Sequence, residues 1–251
     1  MPLYRDEGIV LRTQKLGEAD RIITLLTRRN GRVRAVARGV RKTSSRIGAR
    51  LEPFNHVDVQ FYEGKSLDNV SQVETIDAIG GKLAGDYPKW TAGTVMLETA
   101  ERLTPEEREP TMQQYALLVS GLRSMAASEH EPTLILDAYL LRSLSVAGWS
   151  PSFDECARCG EPGPHRAFNI QAGGMMCPAC RPPGSAAPSP LTVALLGALL
   201  SGDWEVADSA AHRERTEASG LVAAFLQWHI ERGLRSLPLV DRTWHSQAQG
   251  L

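Results

Sequence analysis

Hydrophobic periodicity changes once along this chain, near residue 83, and the switch divides it into two unlike parts. Before it, apolar residues recur with the period of a strand. Val10 and Arg12 belong to a first run. Ile22, Thr24 and Leu26 are then set against Ile23, Leu25 and Thr27, between Gly17-Glu18 and Asn30-Gly31. An Asn-Gly pair between two such runs predicts a hairpin, because both residues tolerate positive φ. After it, Val33, Ala35 and Ala37 alternate with Arg32, Arg34, Val36 and Arg38, which places Arg32, Arg34 and Arg38 on one strand face. Residues 39–50 have no clear period and read as a mobile basic loop. Two further strands, 57–62 and 69–76, flank a turn at Glu63-Gly64-Lys65-Ser66. Five strands in the first eighty residues, without intervening helices, predict a small barrel or sandwich.

After the switch the period is helical. Thr104-Pro105-Glu106-Glu107 has the form of an N-cap, a first-turn proline and a capping-box glutamate, and predicts a helix start. Tyr115, Leu118, Val119 and Leu122 make one apolar helix face. Leu134 to Ala147 is apolar on most sides and stops at Gly148, as a buried helix does. Ser189-Pro190 starts a helix through Leu200, and Leu221, Ala224, Phe225 and Trp228 mark another. A proline-rich connector spans 181–190. The expected fold is multidomain α+β, with a β module over 1–80 and a helical module over 81–251 carrying an insert at about 151–185.

That insert holds all four cysteines, Cys156, Cys159, Cys177 and Cys180, as two C-x2-C pairs separated by seventeen residues. The spacing matches zinc sites, in which each pair supplies two thiolates to one tetrahedron. Gly160, Gly163, Gly173 and Gly174 provide the tight turns. Paired disulfides and unbound thiols are the alternatives. The start of the chain shows no apolar signal core and no run long enough to cross a bilayer, so a cytoplasmic location is expected, which disfavours disulfides. Four cysteines close the coordination sphere, so the expectation is one structural Zn2+ that activates no water. A nucleobase-deaminase pattern would need His-x-Glu ahead of the cysteines, whereas His212-Arg213-Glu214 follows them.

Charge is distributed unevenly. The whole chain has 28 Lys+Arg against 29 Asp+Glu, a net charge of −1. Residues 1–52 contain 13 basic and 5 acidic groups, or +8, which leaves −9 for the rest. Between 28 and 50 there are nine basic residues and no acidic one. Such asymmetry points to a polyanion partner, with a solvated basic face as the plain alternative. Other motifs lead nowhere. Gly64-Lys65-Ser66 lacks the glycine of a phosphate-binding loop five positions earlier, where Val59 stands, and a strand follows it. Tyr4, Phe54, Phe61 and Tyr62 could stack on bases, though strand spacing favours core packing. No nucleophile or acid/base pair stands out, so no catalytic site is expected.

The residues of the β module carry a resemblance. Gly8-Ile9-Val10-Leu11-Arg12, then 16–27 from Leu16-Gly17-Glu18-Ala19-Asp20-Arg21 onward, Gly31-Arg32-Val33, Ala37-Arg38-Gly39-Val40-Arg41 and Leu51-Glu52-Pro53-Phe54 resemble the RecO family of bacterial recombination mediators. The resemblance runs the length of the chain, since zinc-bearing members of that family also carry four cysteines in a helical domain. It implies an OB-fold barrel that binds single- and double-stranded DNA and anneals complementary strands. It also implies partnership with RecR and with the acidic tail of single-stranded-DNA-binding protein, loading of RecA on coated single strands, and work at the nucleoid in the cytoplasm. By position, Arg34, Arg38, Arg41, Lys42, Arg46 and Arg50, with Arg32 on the same strand face, would form the nucleic-acid-binding surface. The resemblance also implies a pocket for that acidic tail in the helical domain. Two rival readings remain: a zinc-ribbon interaction scaffold with RNA binding, and a metal-dependent nuclease.

Overall fold

Strand β1 (Leu3–Leu16) is long enough to serve two neighbours. Its first half pairs antiparallel with β4 (His56–Tyr62) over Leu3–Ile9, and its second with β2 (Asp20–Thr27) over Gly8–Leu16. A register break between Val10 and Arg12 bends the strand from one partner to the other. The hairpin continues to β3 (Gly31–Ala37). Strand β5 (Asp68–Asp77) then pairs antiparallel with β4 and closes the ring through a short parallel contact with β3, Ala35 to Asp68 and Val36 to Asn69. The result is a closed five-stranded barrel in the order β1-β2-β3-β5-β4, the OB-like fold expected. The structure is a computed structural model that describes residues 2–42, 45, 47–230 and 233–240.

Burial explains the strand patterns. Val10, Ile23, Leu25, Val33, Ala35, Val57, Val59 and Phe61 fill the barrel with almost no exposure. On the outer face Ile9, Leu11 and Leu26 are also buried, because helices pack there. These are α1 (Ile79–Leu83), α2 (Tyr87–Leu103) and α3 (Met112–Ala127), with α2 and α3 against β1 and α3 against β2. Two buried faces account for the nearly unbroken apolar run of β2. The loop after β3 is anchored as well: Val40 and Leu51 are buried in the barrel core and Ile47 packs against it. The barrel and helices α1–α3 form one compact unit, which runs to Glu129.

Between α2 and α3 the chain departs from expectation. Thr104 does not cap a new helix; its hydroxyl donates to the Ala100 carbonyl at 2.7 Å and closes α2. A helix begun at Pro105 would place Pro110 in its interior, where the missing N–H and the ring break it. Residues 104–111 are instead non-helical, Glu107 forms a parallel bridge to Arg32, and α3 starts only at Met112.

The second unit begins at His130. Helix α4 (Pro132–Val146) is buried on nearly every side and packs against α5 (Pro190–Ser201) and α7 (His212–His229), with α6 (Trp204–Ser209) against α5. Ser189 caps α5 as expected, accepting from the Thr192 N–H at 3.1 Å, and Gly202 ends it at φ +94°. Arg142 donates to the last carbonyls of α5, Leu199 at 2.9 Å and Leu200 at 3.2 Å. The buried stripe of α7 is Ala218, Val222, Phe225 and Leu226, while Trp228 is 55% exposed and lies off the expected face. Between α4 and α5 stands the cysteine insert, with its hairpin β6 (Ala167–Asn169) and β7 (Gly174–Met176). Among the described residues no helix is long and apolar enough to cross a membrane.

Candidate nucleic-acid interface and metal centre

Two tight turns meet at one end of the barrel. The β1–β2 turn at Gly17–Ala19 and the turn after β3 are tied together by three bonds. Asp20 accepts from the Gly39 N–H at 2.8 Å, the Ala19 carbonyl from the Arg41 N–H at 3.0 Å, and the Gly17 carbonyl from the Arg41 guanidinium at 3.0 Å. Gly17 and Gly39 take φ of +57° and +66°, which permits both turns. Arg38, Arg41 and Lys42 are all exposed here. Among the described residues none of the three has a carboxylate partner, so their charge is left for solution. Arg21, close by, differs: Glu52 neutralises it at 2.6 Å.

Lys15 was not singled out by sequence reasoning. It pairs across strands with Arg21, and Arg21 with Ala37, so an exposed Lys15 stands beside Arg21 in the row of Ala37, the residue before Arg38. Only strand register reveals that neighbourhood. Arg50 lies on the short 3-10 turn 49–51 and donates to the Val73 carbonyl of β5 at 2.5 Å, fastening the loop to the barrel. Arg46 lies outside the described residues.

Arg32 and Arg34 are elsewhere in character, although they share the strand face with Arg38 as alternation predicts. The segment 104–109 lies along them. Arg32 donates to the Pro105 carbonyl, its own carbonyl accepts from the Arg108 N–H at 2.9 Å, and Arg34 is 3.4 Å from the Glu107 carboxylate. The Nε atoms of both arginines are buried without a hydrogen-bond partner.

Arg108 anchors that segment, and nothing in the sequence marked it. It adopts φ +62°, pairs with Asp68 and with Glu63 at 3.3 Å, and lies 6.0 Å from the Tyr4 ring centre. Asp68 is almost fully buried and also accepts from the Gly64 N–H at 2.9 Å and the Tyr4 hydroxyl at 2.5 Å. Burial and this hydrogen bond push the Tyr4 phenol far above its ordinary value, and Tyr4 stacks on Phe61 inside the barrel. Phe54 is buried too, which leaves Tyr62, 44% exposed, as the one solvent-facing ring of the four considered.

The four cysteines converge. Their sulfur atoms lie within 4.8 Å of one another, with Cys159 and Cys177 at 3.8 Å. A tetrahedron with metal–sulfur bonds of about 2.3 Å has edges of about 3.8 Å, so this cluster has the size to hold a metal ion and is consistent with structural zinc. No disulfide joins them. Each pair sits on a turn: the Gly160 N–H reaches the Cys156 carbonyl at 2.8 Å, and the Arg181 N–H reaches that of Cys177 at 3.0 Å. Backbone N–H groups of Cys177, Cys159 and Arg158 favour the Cys156 thiolate and bring its pKa down to about 6, while burial pushes Cys177 up to about 12. Metal ligation needs thiolates, and a bound cation would supply the positive charge that burial denies Cys177. The hairpin of the insert is seated on α7 through Phe168, whose ring meets Phe225 edge-on at 6.4 Å.

Comparison with known proteins places both parts. A family model described as Recombination protein O N terminal matches residues 1–79, and one described as Recombination protein O C terminal matches residues 84–238. The chain is 64% identical over 242 residues to "DNA repair protein RecO" of Thermobifida fusca, covering 96% of this chain and 100% of that protein. It is 64% identical over 243 residues to the protein of that name from Nocardioides sp., and 62% over 248 residues to that from Streptomyces avermitilis, with the same coverage.

Proposed function

Because the chain belongs to the RecO family of DNA repair proteins, we propose that it acts as a non-enzymatic mediator that binds DNA and anneals complementary single strands. In this reading it works with RecR to load RecA on single strands coated by their binding protein, whose acidic tail it contacts, in the cytoplasm at the nucleoid. The barrel of residues 1–80 holds DNA, and the acidic remainder, 81–251, faces protein partners. The observation that carries the reading is the exposed, carboxylate-free cluster Arg38, Arg41 and Lys42 at the end of an OB-like barrel. Annealing requires a surface that neutralises phosphates on two strands yet leaves base edges free to pair. Cations on turns meet that need, since phosphate contacts carry no sequence information. The metal is one Zn2+ held by Cys156, Cys159, Cys177 and Cys180, and its work is to fold the insert.

The deciding experiment is annealing of complementary single strands coated with their binding protein, with and without this chain. Faster annealing supports the mediator reading. Unchanged annealing overturns it, and strand cleavage in the same reaction redirects it toward a nuclease. Adding equal-length RNA as competitor separates it from RNA scaffolding, which requires RNA to win.

A further inference from the structure

The non-helical segment after α2 carries three carboxylates, Glu106, Glu107 and Glu109, and it lies on the outward arginines of β3. It is close-fitting at one end: a Cβ added to Gly31 would fall 1.7 Å from the Glu109 carbonyl oxygen. It is pinned at Arg108, through Asp68 and Glu63. Over the arginines themselves its hold is weak. Arg34 and Glu107 are 3.4 Å apart with side chains 35% and 37% exposed, an arrangement that solvent screens. Arg32 is given only a neutral carbonyl, and both Nε atoms lack an acceptor. Two guanidiniums with unfilled donors, covered by an acidic peptide, are well suited to an anion that presents several oxygens at once. The exposed cluster follows directly from them, since Arg38 comes one residue after the end of β3 and four after Arg34, roughly 13 Å at strand rise.

We propose that residues 104–109 are an acidic strap that occupies the phosphate positions of Arg32 and Arg34, and that a nucleic-acid strand held at Arg38, Arg41 and Lys42 extends along β3 only by displacing it. The inference rests on the DNA-binding reading above. The strap makes binding two-stage. First contact falls at the open end of the barrel, and the strand face is added when a polyanion outcompetes Glu107 and the Pro105 carbonyl.

The test is titration of a fluorescent oligothymidylate with the full chain at fixed salt. Three proteins are compared: the parent, the strap variant Glu106→Gln/Glu107→Gln/Glu109→Gln, and a charge-matched control, Glu129→Gln/Glu155→Gln/Glu205→Gln. The strap variant is expected to bind about fivefold or more tightly than the control. Arg32→Gln/Arg34→Gln should weaken the parent less than about twofold, yet abolish the gain when added to the strap variant. Equal affinity of strap variant and control overturns the strap, as does a parental loss from Arg32→Gln/Arg34→Gln as large as that from Arg38→Gln/Arg41→Gln. Glu107→Gln alone, the mildest change, should show the same direction with a smaller gain, and it decides the matter if the triple variant does not fold. A parent that binds without any strap effect overturns the strap alone, whereas a parent and strap variant that both fail to bind overturn the DNA-binding reading with it.

Discussion

Gly17 and Gly31 have nearly the same backbone conformation, φ +57° and +60°, in very different surroundings. Around Gly17 no atom stands within 4 Å of where a Cβ would lie, while at Gly31 the Glu109 carbonyl oxygen is 1.7 Å away. Gly17→Ala therefore bears the cost of left-handed backbone alone, about 1 kcal/mol. Gly31→Ala must also move the 104–109 segment, and is expected to lose about 2–3 kcal/mol. Urea unfolding of the two variants checks the difference, and equal losses would show that the segment yields without cost. His56 supplies a second residue-scale prediction. It is buried, shares a hydrogen bond with Tyr115 at 2.8 Å, and has Arg123 3.2 Å from its other ring nitrogen. Burial first, and then Arg123, lower its pKa below the ordinary 6.5. The unfolded chain therefore takes up a proton near that pH which the folded chain refuses, so stability falls as pH is lowered through about 6.5 and is unaffected above about 7.5. His229, lowered by burial, acts in the same direction. Substituting His56→Gln should flatten part of the slope between about pH 7 and 5, read as denaturation midpoints across that range.

At the scale of elements, the cysteine insert has little core of its own. Strands β6 and β7 are three residues each, and the buried cluster around them consists of Cys156, Ala167, Met176 and Cys177. So small a core needs a staple. Chelation, or Cys156→Ser, is expected to lower the melting temperature by roughly 5 °C or more while leaving affinity for single strands nearly unchanged. An unaltered melt after verified metal removal would mean that the sulfurs hold the insert without a cation. The same scale shows what local patterns could not reveal. Ser189-Pro190 and the run 134–147 were legible because a cap and a buried helix are local events. Thr104-Pro105-Glu106-Glu107 was misleading because its hydroxyl closes the preceding helix and Pro110 forbids the next.

For the whole molecule, the net charge of −1 conceals a basic first part and an acidic second. Affinity for single strands should fall with salt at a log–log slope of about −0.7 per phosphate neutralised. Replacing Arg38, Arg41 and Lys42 by Ala should make that slope shallower by about 2 and weaken binding on all sequences alike. A slope unchanged by the triple substitution would move the DNA path off this end of the barrel. Electrostatic attraction of this kind acts at the exposed end irrespective of base order, as the proposed annealing of any two complementary strands would require.

Periodicity alone determined that strands precede helices, and the two C-x2-C pairs determined that four sulfurs meet, because both depend on residues close in sequence. The arginine pattern likewise determined which of β3's side chains point outward. Which of those arginines are open to solution was decided only by the tertiary structure. Arg32 and Arg34 are covered by residues more than seventy positions away, and Lys15 is set beside Arg21 by strand pairing. A charge is read from one position in the chain, but its availability depends on everything packed around it.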